Sequence, residues 1–425
     1  MKNTIQRRCG VVFGQLAING VGKSAGFARE VLISSMFGVS AVTDAFFAIQ
    51  QLLVFASSYM MGAFNLAFVP AYIRNRIRGT NGKFLKPVLL VLIIIGLTIS
   101  TILLILDESQ FAIILGFPVG SELLPRFGRI LAWAVVPTVM IGVAFGILHA
   151  ERRHQSATLL GATSSFGMLG ILLCYYFFSL SADQRLVALP WSYLGGSLIA
   201  AVAAALVLLN RLNEKPAEAE AELRPFVRAL GASSIENVGF NINQLSNVYF
   251  AARMGEGLVA INAFAFRVGM LPLALVSSQL GQIYQSWAAR VLAQGRRPAK
   301  SVFFLLCLSC AVIAVALALW GEAIVRLVYE RGTFTSAQTA QVAELMLPYS
   351  AYFFVMSVNQ LAARHSFVFG NGSNYAYLML GAYASALLVK VTLVQTLDQI
   401  IWTCVVAEGL VAVWLCSRIA LDSEK

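Results

Sequence analysis

The sequence predicts an all-α polytopic membrane protein, with about 12 transmembrane helices in two six-helix lobes around a central cavity. Of its 425 residues, 59% are hydrophobic and only 12% are charged, whereas about 25% of the residues in a soluble domain are charged. Apolar runs of the ~20 residues that a helix needs to cross a bilayer recur along the whole chain. Lysine and arginine also concentrate in every second connection between these runs.

The predicted spans follow one another with short polar connections. Several are longer than ~20 residues, which indicates tilted helices or helices that extend beyond the bilayer. The first is interrupted by Asn19 and Lys23, and no small-residue cleavage site follows it, so we expect a retained helix and not a signal peptide. The spans cover residues 10–36, 42–73, 85–106, 127–149, 156–180, 187–210, 226–252, 257–289, 300–328, 337–363, 374–395 and 399–420.

The positions of the basic residues predict how the chain crosses the membrane. With the amino terminus inside, 21 of the 31 lysine and arginine residues fall in cytoplasmic segments, 6 lie at the outer side and 4 lie within spans. This asymmetry follows the positive-inside rule. It predicts that both termini are cytoplasmic, and it explains the net charge of +11 without a nucleic-acid partner.

A strongly polar connection divides the chain into two similar halves. We predict an amino-terminal six-helix lobe over 1–213, a cytoplasmic linker over 214–224 and a carboxy-terminal six-helix lobe over 225–425. Phe37-Gly38 followed by Asp44-Ala-Phe in the first half parallels Met254-Gly255 followed by Asn262-Ala-Phe in the second. Six spans per half would relate the lobes by an axis along the membrane normal, although chance similarity between apolar helices would give the same pattern.

Three charged residues lie within the first span. Each of Lys23, Arg29 and Glu30 costs ~2.5–3.5 kcal/mol at the centre of a membrane helix, so such residues usually face a cavity or a partner. Arg29 and Glu30 are adjacent, and we do not expect them to pair on one helix face. The three residues predict a cationic cavity surface for an anionic substrate; an interhelical salt bridge or a snorkelling side chain is the alternative.

The second half contributes its own cation. Arg267 lies roughly 15 Å along the eighth span from its outer end at 1.5 Å per residue, which is too deep for easy snorkelling and predicts a cavity role. Pro272 removes a backbone hydrogen bond and predicts a kink in this span.

The seventh span is unusually polar for a membrane helix. Glu236, Asn237, Asn241 and Gln244 cannot all face lipid. They line the cavity, form hydrogen bonds between helices, or do both. Glu236 is in addition a candidate ion or proton site.

Three other polar residues within spans have simpler interpretations. We expect Lys390, near the outer end of its span, to snorkel to the interface. Glu408 has a structural role in this interpretation. Asp44, next to Thr43 at the start of the second span, is in the position of an N-cap for that helix.

The chain carries no pattern typical of an enzyme. The three histidines lie near predicted cytoplasmic ends, and we find no Ser/His/Asp set and no glycine-rich phosphate loop. Cys307 and Cys310 have the spacing of a metal site, but their run is apolar and has no second ligand pair, so no metal and no cofactor is expected.

Several ordered motifs resemble the MviN/MurJ family of flippases in the multidrug/oligosaccharidyl-lipid/polysaccharide exporter superfamily. The resemblance covers essentially the whole chain. The motifs are Gly26-Phe-Ala-Arg-Glu30, Phe37-Gly38, Thr43-Asp-Ala-Phe-Phe47, Gly62-Ala-Phe64, Ala67-Phe-Val-Pro70, Gly146-Ile-Leu148 with Arg152-Arg153, Arg267 with Pro272, Leu327 to Thr335, and Gln360-Leu-Ala-Ala-Arg364 through Gly370.

The resemblance implies a transporter of the bacterial cytoplasmic (inner) membrane. Its substrate would be an undecaprenyl-diphosphate-linked saccharide, which alternating access moves to the outer leaflet. Arg29, Glu30 and Arg267 match essential cavity charges of the family, and Lys23 lies where the family often has arginine. A Na+ or H+ gradient or the membrane potential would drive transport, and a polysaccharide polymerase and export machinery would be partners besides the membrane lipid.

Two departures from the family pattern bear on the saccharide. The stretch Phe55–Gly62 carries no charge, whereas lipid II flippases have an arginine pair and a glutamate there. The chain also ends after the twelfth predicted span, whereas those flippases usually have fourteen. We therefore expect an exopolysaccharide or surface-polysaccharide repeat unit, with lipid II as the alternative. A cation-coupled small-molecule antiporter and a membrane enzyme that polymerises or ligates lipid-linked sugars are further alternatives.

Overall fold

The computed structural model describes residues 22–60, 64–151, 153–178, 182–213, 223–294, 296, 298–369 and 372–421. These residues form helices and no strand. The first helices are α1 (22–37), α2 (Ala41–Tyr59), α3 (Asn65–Ile77), α4 (Asn81–Ile105), α5 (Glu108–Leu115), α6 (Leu123–Ala132), α7 (Val135–Ala150), α8 (His154–Phe177) and α9 (Ala182–Leu212). The others are α10 (Arg224–Met254), α11 (Leu258–Pro272), α12 (Ser278–Ala293), α13 (Lys300–Tyr329), α14 (Ser336–Glu344), α15 (Met346–Val368), α16 (Gly372–Leu393) and α17 (Leu397–Leu421).

The lengths and compositions of these helices confirm an all-α polytopic membrane protein. Seven helical segments of the described residues are long and apolar enough to cross a bilayer, and the bent pair α6–α7, with 44° between its parts, makes up to eight. The count of twelve spans stays a prediction. The short helices α5 and α14, each opened by a reciprocal capping box, were not predicted as separate elements.

The helices form two compact units. One extends through Met36 and resumes over Ala45–Asn237, and the other comprises Phe37–Asp44 and Val238–Lys425. The division therefore falls within α10, and the predicted linker 214–224 lies largely outside the described residues.

An aromatic cluster holds the first unit together. Phe64, Phe68 and Phe84 are fully buried with Phe226 of α10. The rings of Phe64 and Phe68 stack at 4.9 Å, and Phe226 presents its edge to Phe84 at 5.5 Å. Such pairs contribute about 0.5–1.5 kcal/mol beyond the burial of their area, so this cluster fixes α3, α4 and α10 against one another.

Small residues bring two helices of the first unit into close contact. A Cβ atom added to Gly196 of α9 would lie 2.5 Å from the carbonyl oxygen of Ser164 in α8, and one added to Gly167 would lie 2.9 Å from Cα of Gly196. Only glycine fits at such a crossing, where close backbone approach supplies the packing that the hydrophobic effect cannot provide in lipid.

The second unit has its own core and an irregular span. Tyr284, Phe303, Met379 and Tyr383 are buried together. The predicted disturbance at Pro272 takes the form of a π-helical turn over Leu273–Ser277, which joins α11 to α12. Proline cannot donate a backbone hydrogen bond, and π turns in other proteins occur frequently at functional sites.

The segment Phe37–Asp44 packs within the second unit although it connects two helices of the first. The amide N–H of Val39 donates to Oε1 of Gln338 at 3.5 Å, and Nε2 of Gln338 donates to the carbonyl of Val39 at 3.3 Å. Asp44 accepts hydrogen bonds from the backbone N–H groups of Gly257 and, at 2.7 Å, of Ala260. These contacts explain why the segment belongs to the second unit.

These contacts correct the expected role of Asp44. Its carboxylate caps the amino terminus of α11 and not of its own helix. At the start of α2, Ser40 and Thr43 bond reciprocally, each backbone N–H to the other's hydroxyl. Gly257, the N-cap residue of α11, has no side chain to accept these hydrogen bonds and adopts a left-handed φ of 85°. Asp44 supplies the missing acceptor.

Candidate functional site

Arg29 and Glu30 form an ion pair, contrary to the expectation for adjacent residues. Nη2 of Arg29 lies 2.5 Å from Oε1 of Glu30, and Nε lies 3.1 Å from the same oxygen. An arginine side chain is long enough to fold back along the helix, so two adjacent residues can pair although they start on different helix faces. Glu30 is buried and Arg29 is partly exposed. The pair thus lowers the cost of two charges inside a span, while part of the Arg29 side chain stays exposed.

Lys23 lies on the exposed surface of the first unit. Gly22 and Gly26, one turn apart on α1, pack against α8, where a Cβ atom on Gly22 would lie 3.0 Å from Cβ of Ala162. The helix therefore turns a face of small residues to its neighbour. Because the charges of Arg29 and Glu30 cancel, the net charge of Lys23, Arg29 and Glu30 together is +1 and comes from Lys23.

Arg267 lies deep within a span of the second unit. It belongs to α11, and the segment Leu258–Ser277 is apolar and long enough to cross a membrane. Its neighbours Phe264 and Val268 are buried, and Nη1 of its guanidinium is shielded from solvent. At least one nitrogen of this guanidinium is thus enclosed by the protein, and the cavity role of Arg267 stays a prediction.

The polar residues of α10 fall into two groups. Glu236 and Asn237 are half-buried in the first unit, whereas Asn241 and Gln244 are buried in the second. Nε2 of Gln244 lies 3.5 Å from the hydroxyl of Tyr352 on α15. Gln244 thus makes a contact between helices, the second of the two roles predicted for this span. The ion or proton site at Glu236 stays a prediction.

The structure reveals a polar cluster that the sequence analysis missed. Lys390 is not at the interface: it is buried, and its ammonium group donates to Asn243, Ser246 and Asn247 of α10. The expectation that it snorkels is wrong, because neighbouring oxygen atoms replace the water that a lysine would otherwise seek. The spacing of Asn243 and Asn247, one helical turn apart, was the signal that could have indicated a partner.

Comparison with known proteins identifies the family. A family model described as "Lipid II flippase MurJ" matches residues 33–400. The chain belongs to the MurJ family. It therefore belongs to a family of transporters and not of enzymes, as the sequence motifs indicated. Arg267 lies inside the matched range, whereas Lys23, Arg29 and Glu30 precede it.

Curated relatives carry the same description at modest identity. A probable lipid II flippase MurJ of Rhizobium meliloti (strain 1021) is 26% identical over 351 residues, which cover 76% of this chain and 64% of the relative. One of Bdellovibrio bacteriovorus is 25% identical over 356 residues, covering 79% and 67%. The chain thus spans less than two thirds of the length of the Rhizobium relative.

Solved structures share the fold. A lipid II flippase MurJ in an inward closed conformation superposes with a TM-score of 0.78 at 15% identity, over 96% of this chain and 87% of that one. An inward-facing multidrug resistance transporter of the MATE family and the MOP superfamily gives 0.73 at 14% identity, over 97% and 99%. The helical architecture is therefore that of MOP-superfamily transporters.

Proposed function

We propose that this protein is a flippase that moves an undecaprenyl-diphosphate-linked saccharide from the cytoplasmic to the outer leaflet by alternating access. The observation that carries the proposal is the MurJ family match over residues 33–400. It is supported by Arg267, an arginine held at depth in a span, because intramembrane charges usually serve transport or binding.

The proposed chemistry is recognition of the diphosphate by cations. A guanidinium binds phosphate oxygens through two parallel, charge-assisted hydrogen bonds, and arginine is suited to this geometry where lysine acts as a point charge. Glu30 accepts from two of the N–H groups of Arg29, which orients the guanidinium and leaves its remaining donors for a ligand. In this proposal Arg29, Arg267 and Lys23 bind the substrate, and Glu30 positions Arg29.

The saccharide is the finer part of the proposal. The uncharged stretch Phe55–Gly62 favours a repeat unit of an exopolysaccharide or surface polysaccharide. The description of the relatives as lipid II flippases favours lipid II as the second candidate. The fold is also that of small-molecule exporters, but the basic residues Lys23, Arg29 and Arg267 disfavour cationic compounds.

The setting of the protein follows from the same proposal. We place it in the bacterial inner membrane with both termini cytoplasmic. A Na+ or H+ gradient or the membrane potential drives transport, and a polysaccharide polymerase and export machinery use the delivered unit. No cofactor takes part.

A leaflet-resolved assay in proteoliposomes tests the proposal. Lipid II and a synthetic undecaprenyl-diphosphate-linked repeat unit without a peptide are compared as substrates of the wild type. We expect Arg29→Ala and Arg267→Ala each to lower the rate about 10- to 100-fold, because a hydrogen bond to a charged group contributes about 1.5–3 kcal/mol.

The matched control is Arg326→Ala, which removes an exposed arginine paired with Glu322 on α13. We expect wild-type rates from this variant. Undiminished transport by both Arg29→Ala and Arg267→Ala would exclude recognition of the diphosphate by these cations. Faster transport of lipid II than of the repeat unit would assign the protein to peptidoglycan synthesis.

A further inference from the structure

Lys390 is enclosed by oxygen atoms within a span of the second unit. It is only 1% exposed, and α16, which carries it, is long and apolar enough to cross a membrane. Its Nζ lies 2.5 Å from Oδ1 of Asn247, 2.6 Å from Oδ1 of Asn243, 3.0 Å from Oγ of Ser246 and 3.5 Å from the carbonyl oxygen of Asn243. All four oxygens belong to α10, so one ammonium group joins α16 to α10.

The helices around this ammonium group carry further titratable side chains. On α17, the thiol of Cys404 lies 3.7 Å from Oδ1 of Asn243, and Glu408 follows one turn later. Glu408 is buried and accepts a 2.9 Å hydrogen bond from Tyr352 of α15. Tyr349, also on α15, donates to Asn262. The groups of α10 that contact Lys390 are neutral amides and a hydroxyl.

The charge of Lys390 has no directly bonded counter-ion in the described part of the chain. The thiol of Cys404, which also forms a hydrogen bond with Lys390, and the carboxylate of Glu408 act on it electrostatically, but all the oxygens bonded to Nζ are neutral. A cation in a span is costly, and in other proteins well-packed apolar side chains often replace buried charges without loss of stability. A costly titratable group that joins two spans indicates a role beyond packing.

Proton loss would change the bonding between the two helices. An ammonium group has three N–H donors and no acceptor, which suits an enclosure made of acceptor oxygens. The neutral amine has two donors and a lone pair, and this lone pair would face the oxygen lone pairs of α10. Deprotonation therefore weakens the link between α16 and α10, and protonation restores it. The charge of Lys390 thus shifts the equilibrium between a formed and a separated contact of α16 with α10.

We propose that Lys390 is a proton-binding site that is loaded and unloaded once in each transport cycle. The ammonium group gives its proton to water when α16 separates from α10, and the amine takes up a proton from water before the contact forms again. This inference rests on the proposed function, because it requires that the protein transports a substrate. It names a coupling proton and the residue that carries it.

The experiment measures lipid and proton movement together. The full-length protein is reconstituted in vesicles that contain a pH-sensitive dye, with undecaprenyl-diphosphate-N-acetylglucosamine and, separately, lipid II as probes. For the wild type we expect lipid-dependent proton movement, and we expect a pH gradient to change the transport rate. In Lys390→Met and Lys390→Arg we expect proton movement per transported lipid to fall at least tenfold.

The arginine variant separates a proton site from a structural link. Arginine keeps the charge and the donors but does not release its proton in proteins. An arginine at position 390 could therefore replace lysine as a structural link but not as a proton-binding site. Proton movement at the wild-type level in Lys390→Arg would overturn the proposal. Lys300→Met, which alters a half-buried lysine bonded to the carbonyl of Ala420, is the matched control and should behave as wild type.

Two outcomes distinguish failure of this inference from failure of the proposed function. If lipid moves in the wild type but no proton does, and collapse of the pH gradient leaves the rate unchanged, Lys390 is not a coupling site and the flippase proposal stands. If neither probe moves under any gradient, the proposed function itself fails. These wild-type measurements can overturn the inference even if the lysine variants do not fold.

Discussion

Glu151 balances two basic residues inside the first unit. Its carboxylate is buried at the end of α7. Oε1 lies 2.5 Å from Nη1 of Arg76 and 2.7 Å from Nε of Arg211, and Oε2 lies 2.7 Å from Nη2 of Arg211. The hydroxyl of Tyr72 lies 3.4 Å from the same group. One acidic side chain thus joins α3, α7 and α9 and pairs with an arginine of each neighbouring helix.

We predict that Glu151→Ala lowers the stability of the protein. Removing one partner of a buried ion pair costs about 3–5 kcal/mol, and because Arg76 is 43% exposed we expect the lower end of this range. Thermal unfolding in detergent, followed by tryptophan fluorescence, should show a clearly lower midpoint. Glu322→Ala is the control, because Glu322 is 63% exposed in its pair with Arg326 and such helical pairs contribute about 0.3–0.5 kcal/mol. Equal midpoints for both variants would show that the buried carboxylate contributes no special stability.

Individual charged residues could be found in the sequence, but their partners could not. Lys23, Arg29, Glu30 and Arg267 stand out because charges are rare in apolar runs. The Arg29–Glu30 pair depends on how a long side chain bends, and the oxygens around Lys390 come from a helix far away in the chain. Neither follows from helical periodicity.

At the scale of elements, the segment Phe37–Asp44 shows how sequence order and packing can differ. Phe37-Gly38, one of the motifs that resemble the MurJ family, contacts another of them, Leu327 to Thr335. A Cβ atom on Gly38 would lie 3.0 Å from the carbonyl oxygen of Thr333. Gly38 also has a left-handed φ of 57°, which favours glycine. The two motifs therefore form one packed region of the second unit.

We predict that Asp44→Ala destabilises the second unit by about 2 kcal/mol, because loss of an N-cap acceptor costs about 0.5–2 kcal/mol and unpaired buried donors add to it. Asp44→Asn keeps one carboxylate-like oxygen and should have an intermediate effect. The midpoint of thermal unfolding measures both. Asp183→Ala, which removes an exposed acid from the first turn of α9, should leave the midpoint unchanged. A wild-type midpoint for Asp44→Ala would contradict the capping role.

The elements themselves were largely predictable, whereas their breaks were not. Long apolar runs gave correct positions for α4, α8, α9, α13, α16 and α17. The predicted fourth span contains the 44° bend between α6 and α7, and the predicted eighth span contains the π turn between α11 and α12. Such breaks depend on local packing, which hydropathy does not record.

At the scale of the whole molecule, composition decides the class of protein and the distribution of charge decides its expected orientation. A chain that is 12% charged cannot form a typical soluble surface, and its helices match those of MOP-superfamily transporters over nearly their full length. The two compact units divide within α10, and the inclusion of Phe37–Asp44 in the second unit is a tertiary effect. No pattern of hydropathy along the chain contains that information.

The last prediction concerns this orientation. Because most basic residues lie in connections that would face the cytoplasm together, the positive-inside rule places both termini there. A green fluorescent protein fused after Lys425 should fluoresce, and alkaline phosphatase fused at the same residue should be inactive. Phosphatase fused after Gly332, in the connection between α13 and α14 that is predicted to lie outside, should be active, and phosphatase fused after Asn213 should be inactive. Active phosphatase at Lys425 would reverse the predicted orientation, and with it the side from which the proposed substrate enters.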